Sequence, residues 1–180
     1  MNLSVIEKYA DGVPQPSIDF KQTVEHILQL MPNQHLVGLR AIVLTLGATR
    51  STQWKHAIAT GRPAATTTAL GCYHPKQAEG DAWIELFIDN IMKQYPSWIL
   101  RFRTAVEFAL SLVLLHELGH HISYTMSERG NPEHLAERWS DKLVGRYLQQ
   151  RYPRVIRLVL ALGRSRMARA IRHRIKGAPE

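Results

Sequence analysis

Residues 108–120 read Phe-Ala-Leu-Ser-Leu-Val-Leu-Leu-His116-Glu117-Leu118-Gly119-His120. The apolar run is bounded by Glu107 and by His116-Glu117. It is too short to span a membrane and fits a buried helix. On a helix, residues four apart lie above one another on one face. His116 and His120 can therefore offer their imidazoles to a single metal ion. Glu117 sits beside the first histidine, where a carboxylate can reach a water molecule next to that ion. Two histidines and a glutamate are costly to bury at the end of an apolar helix without a partner. A catalytic zinc site also needs a third protein ligand and an open fourth position.

Upstream, the chain reads as strands. Residues 36–46, LVGLRAIVLTL, are rich in branched side chains. Thr66 to Tyr73 and Trp83 to Asp89 read as two more strands, with PKQAEGD between them as the turn. In the second, both alternating sets of side chains are largely apolar. Residues 1–17 are polar, carry Pro14 and Pro16, and read as a loosely held start. Ser17 can cap a helix running to about Met31. The stretch 47–63 has no clear period and reads mostly as loop.

Downstream, the chain reads as helices. Ser97 or Thr104 opens the motif helix, which continues to about Tyr124. Asn131 is a good N-cap, Pro132 suits the first helical position, and Glu133 suits the positive first turn. That helix runs to about Arg151, and Pro153 opens another whose apolar stripe is Val155, Leu158, Val159 and Leu162. The expected fold class is α+β: a small mixed sheet, then the histidine-bearing helix, then a glutamate-bearing helix. Residues 1–152 form the expected domain, with 153–180 a basic C-terminal helix and tail.

Glu137-Arg138-Trp139-Ser140-Asp141 follows on the second helix. Together with His-Glu-Leu-Gly-His, this resembles the gluzincin metallopeptidases, whose third ligand lies in E-x-x-A-D or E-x-x-S-D. The short gap and small size are similar to minimal gluzincins and ImmA/IrrE-type peptidase domains, over about residues 64–150. The resemblance implies a zincin-like fold, a zinc cofactor, and hydrolysis of peptide bonds in a peptide or protein substrate. It implies His116, His120 and Glu137 as ligands and Glu117 as general base. It implies that Asp141 holds a ligand histidine by its free ring nitrogen, which fixes the tautomer and raises ligand basicity. Glu133 is a rival third ligand, with an alternative role at the helix N-terminus. Gluzincins add a donor to the developing oxyanion, for which His134, Tyr147 and Tyr124 are the candidates. Trp83 to Asp89 is expected to be the edge strand that a substrate joins. The metzincin pattern is excluded, because Ser123 and Met126 stand where Gly and His are required.

Other residues have plainer readings. Gly145, in mid-helix at a cost of about 1 kcal/mol relative to Ala, is expected to mark close approach to the motif helix. His121 lies off the ligand face and reads as a surface histidine. Trp139 reads as core and Cys72 as a small buried side chain. Cys72 is the only cysteine, so no internal disulfide forms, which suits a cytoplasmic protein. The start has no secretory pattern.

Charge divides the chain. Residues 142–180 carry a net +10 and residues 1–141 a net −2. Beyond Gly163 the arginines do not sort to one side of a helical wheel. Such a segment suits nonspecific nucleic acid contact, a latch over its own cleft, or simple solubility. Zincin-fold binding proteins and latent peptidases are the competing functional classes.

Overall fold

The structure is a computed structural model and describes residues 3–9, 18–46, 69–76 and 81–161. The elements are β1 (Ser4–Tyr9), α1 (Phe20–Gln29), a 3-10 turn (Asn33–Leu36), β2 (Leu39–Leu46), β3 (Gly71–His74) and β4 (Ala82–Phe87). They continue with α2 (Ile88–Lys93), a second 3-10 turn (Ile99–Arg101), α3 (Arg103–Thr125), α4 (Pro132–Arg151) and α5 (Pro153–Ala161). The fold is mixed α+β, as the sequence implies. The stretch 47–63, the Ser17 cap and the basic tail beyond Ala161 lie outside the described residues.

The strands form one sheet in the order β1-β2-β4-β3. β1, β2 and β4 are parallel, and β3 is antiparallel to β4. Two expectations are corrected here. Part of the start is not loose: Ser4–Tyr9 pairs residue for residue with Ala41–Leu46, while residues 10–17 lie outside the described residues. Only Val5 of β1 is buried, so its sequence carries almost no apolar signal. The stretch beginning at Trp83 is not an edge strand. β4 lies between β2 and β3, and its two apolar faces are the mark of a strand covered on both sides. Among the described residues, the short β3 and β1 form the two edges. The strand also ends at Phe87, and Ile88 begins α2 directly.

The helices start where local chemistry allows. Asp19 caps α1, its Oδ1 accepting from the Gln22 N–H at 2.7 Å. Asn131 caps α4, accepting from the N–H groups of Glu133 and His134. α3 has no side-chain cap; Phe102 precedes it, and neither Ser97 nor Thr104 serves. Packing holds it instead. Leu110, Leu114, Leu115 and Leu118 are fully buried, each contributing about 1.5–3 kcal/mol of hydrophobic stabilisation. α3 lies between the sheet and α4, with α1 beside it. α5 packs on α4, and Ile156 joins the common core.

α3 and α4 form a tight hairpin. A Cβ on Gly119 would sit 2.4 Å from the Ala136 carbonyl oxygen, so only glycine fits at this crossing. The backbone approach expected at Gly145 is therefore found at Gly119, inside the motif itself. Gly145 is buried on the partner helix.

Candidate metal centre

The turn between α3 and α4 aims the site. Gly130 adopts φ 147°, a conformation that favours glycine. Glu128 ties the turn to α4 by accepting from Arg138 Nη2 at 2.6 Å and Trp139 Nε1 at 3.1 Å. The first turn of α4 is thereby folded back over the motif face of α3. His116 Nε2 lies 3.6 Å from Glu133 Oε2, and His120 Nε2 lies 3.6 Å from Glu133 Oε1. The imidazole rings stand at 88° with centroids 5.0 Å apart. One ligand atom from each of the three residues lies within 4.8 Å of the others.

This donor set fits zinc. Two imidazoles and one carboxylate are a usual catalytic combination. Tetrahedral bonds of about 2.0–2.1 Å place donors about 3.3 Å apart, close to the 3.6 Å observed. Burial, and the neighbouring His116, hold the His120 pKa below its ordinary value despite the opposing pull of Glu133. The neutral imidazole that coordinates a metal is thus favoured.

Glu117 lies on the inner side of the pair, 7% exposed. Burial pushes its carboxyl up to about 7, with Glu133 adding to the rise and a hydrogen bond from the Tyr73 backbone N–H opposing it. A carboxyl poised near neutrality can both accept and release a proton. β3 presses against it: a Cβ on Gly71 would fall 2.8 Å from Glu117 Oε1. Gly71 thus leaves space for the carboxylate beside the edge strand.

The other expected residues are distributed as follows. Glu137 is one turn beyond Glu133, exposed, and outside the group formed by the histidines. The rival Glu133 takes that place, because the cap at Asn131 puts the first turn, not the second, above the pair. Asp141 is half-buried a further turn along. His134 is exposed in the first turn of α4. Tyr124 is 55% exposed near the end of α3, with its ring 6.1 Å from that of Tyr73. Tyr147 is fully buried and donates to Glu107 at 2.8 Å, so its hydroxyl is committed away from the group. Trp139 is partly buried against the core, and Cys72 is half-buried.

His121 was the least legible residue. It is 1% exposed, not on the surface. Nε2 lies 3.0 Å from the Val37 carbonyl oxygen and Nδ1 3.2 Å from the Tyr73 hydroxyl. A second histidine directly after the motif gives no sign of this; the partners come from β3 and from Val37, two residues before β2.

The chain matches no protein-family profile, no characterised relative and no solved structure. Among the described residues, no helix is long and apolar enough to cross a membrane.

Proposed function

We propose that this protein is a zinc-dependent metallopeptidase with a zincin-like arrangement of gluzincin type, in which His116, His120 and Glu133 hold the metal. The observation that carries the reading is the convergence of the two histidines and Glu133 beside a buried glutamate whose pKa is raised to about 7. Zinc in such a site supplies Lewis acidity and lowers the pKa of water to about 7. Glu117 is the general base: its carboxylate takes a proton from the attacking water and passes it to the leaving amine nitrogen. The side of β3 away from β4, which pairs with no strand among the described residues, is where an extended substrate pairs by strand addition. Hydrogen bonding between Phe87 N–H and the Leu70 carbonyl puts Cys72 in the next bonded pair with Glu85. By alternation, the backbone groups of Gly71 and Tyr73 point away from β4; the Tyr73 N–H is taken by Glu117, which leaves the Gly71 groups and the Tyr73 carbonyl to a substrate strand.

Zinc analysis and turnover of unfolded casein test the reading together. Purified protein carries about one zinc per chain. His116→Ala, His120→Ala and Glu133→Ala abolish tight binding, while Glu137→Ala largely keeps it. Glu117→Gln retains zinc and loses turnover by a factor of roughly 10² to 10⁴. A folded wild type that takes up no added zinc sinks the proposal. Loss of zinc in Glu137→Ala alone returns the third ligand to that residue.

A further inference from the structure

The edge strand has few means of holding its place. β3 is four residues long and has one strand neighbour among the described residues, β4. Yet it touches Glu117 at two points: the Gly71 backbone packs against the carboxylate, and the Tyr73 N–H donates to it. A small shift of β3 along or away from α3 would therefore displace the Glu117 carboxylate.

The next residue after the second ligand histidine fixes that strand. A backbone carbonyl can only accept a hydrogen bond, so His121 Nε2 carries the proton that the Val37 carbonyl receives at 3.0 Å. In the neutral ring Nδ1 is then a bare lone pair, and the Tyr73 hydroxyl donates to it at 3.2 Å. The sense of both bonds follows from one constraint. The two aromatic rings also meet edge-on, with centroids 5.5 Å apart. Helix α3, the Val37 backbone two residues before β2, and β3 are thus joined through one imidazole.

We infer that His121 is a positioning residue, which with Tyr73 clamps β3 to α3 and so holds Glu117 at the height from which it reaches the attacking water. The inference rests on the metallopeptidase reading for its kinetic consequence, but the clamp itself does not. His121 neither ligates the metal nor touches substrate. It acts through Tyr73, whose hydroxyl holds the strand while its own N–H holds the general base. The same clamp sets the Gly71 backbone groups and the Tyr73 carbonyl, to which a substrate strand would pair.

Three variants test it: Tyr73→Phe, His121→Leu and His121→Gln. The glutamine amide can both donate to Val37 and accept from Tyr73, so it is the conservative rescue. All three are expected to keep zinc, since no ligand is touched. His121→Leu and Tyr73→Phe should raise amide hydrogen exchange of β3 about tenfold or more, and His121→Gln should leave it near the wild type. With casein as substrate, kcat should fall about tenfold in the first two variants and recover in His121→Gln. A nitrogen-15 spectrum should show His121 protonated on Nε2 only. Unchanged β3 exchange in His121→Leu, or an Nε2 that carries no proton, overturns the clamp. Unclamped exchange with unchanged kcat overturns its role in positioning Glu117. If wild type shows no turnover at all, the peptidase reading fails, and exchange and tautomer still decide the clamp. If His121→Leu does not fold, Tyr73→Phe, which removes one oxygen, carries the same comparison.

Discussion

The hairpin of α3 and α4 gathers charged groups at both ends, and the two ends are built differently. At the far end, Glu107 is 3% exposed and fully served by the protein. Tyr147 donates to it at 2.8 Å, Arg151 through Nε at 2.7 Å and Nη2 at 3.1 Å, and His26 lies 3.7 Å away. At the near end, the residues facing one another are His116, His120 and Glu133, and Glu133 meets no lysine or arginine among the described residues. One cluster supplies its own cation and donors. The other offers lone pairs that converge. The same pair of helices thus builds a structural lock and a candidate ligand set, and the difference lies in whether the protein completes the charge balance itself.

The largest expected effect separates the two ends by metal. With zinc at a thousandfold over its Kd, binding stabilises the wild type by about 4 kcal/mol. His116→Ala and His120→Ala should lose that increment while melting close to metal-free wild type. Glu107→Ala should do the reverse. Removing one partner of a buried ion pair costs about 3–5 kcal/mol, and we expect about 2–3 here because Arg151 is one-third exposed. Its zinc-dependent increment should survive. Thermal melts with and without zinc measure all four quantities. A Glu107 variant that also loses the zinc increment would mean that the two ends are one cooperative unit.

Acidification should separate the ends a second time. Zinc requires neutral imidazoles, so its stabilising increment should fade as pH drops through and below the histidine range near 6.5. Glu107 behaves differently. Burial alone would raise its pKa, but hydrogen bonds from Arg151 and Tyr147 outweigh that and hold it below the usual carboxylate value. A depressed folded pKa contributes stability that is present above the unfolded value and is lost only as pH falls through the folded one. The stability gap between wild type and Glu107→Gln should therefore persist at pH 5.5 and close well below pH 4.5. Denaturant midpoints across pH check this. A gap that closes already above pH 5.5 would show that the ionised Glu107 carboxylate is not the source of the far-end contribution.

What could be read from the sequence follows the same division between local and distant causes. His116, Glu117 and His120 declare themselves because their geometry is internal to one helix. Asn131 and Pro132 place the start of α4 correctly because capping is local. The choice between Glu133 and Glu137 is not local. Both share a face of α4, one turn apart, and only the tight turn through Gly130 and Glu128 decides which one overlies the histidines. Gly119 reads as filler within a motif, yet its missing side chain lets α4 approach. β1 was invisible because a parallel edge strand with one buried residue owes its existence to β2. His121 was misjudged because its partners are 48 and 84 residues away in sequence.

The smallest expected effect on the site comes from the basic end of the chain. Charge along α4 is polarised: with the exception of Arg138, the acids Glu133, Glu137 and Asp141 precede the bases Lys142, Arg146 and Arg151, and α5 adds Arg154 and Arg157 with no acid between 142 and 161. Part of this simply matches the helix dipole, which favours acids at the start and bases at the end. Its reach is short, however. Glu133 and Arg151 are separated by about 27 Å of helix, roughly three Debye lengths at physiological salt. Cutting the chain after Gly163 removes six of the eleven basic residues of 142–180 and leaves every described element whole. Zinc affinity and casein turnover should then change less than twofold. Binding to a mixed-sequence duplex oligonucleotide should weaken, and its dependence on salt should become shallower, because fewer phosphates are neutralised. Fluorescence anisotropy between 50 and 200 mM salt reads that slope directly. Turnover that rises on truncation would show instead that the tail reaches back over the site, making the near end a latched centre rather than an independent one.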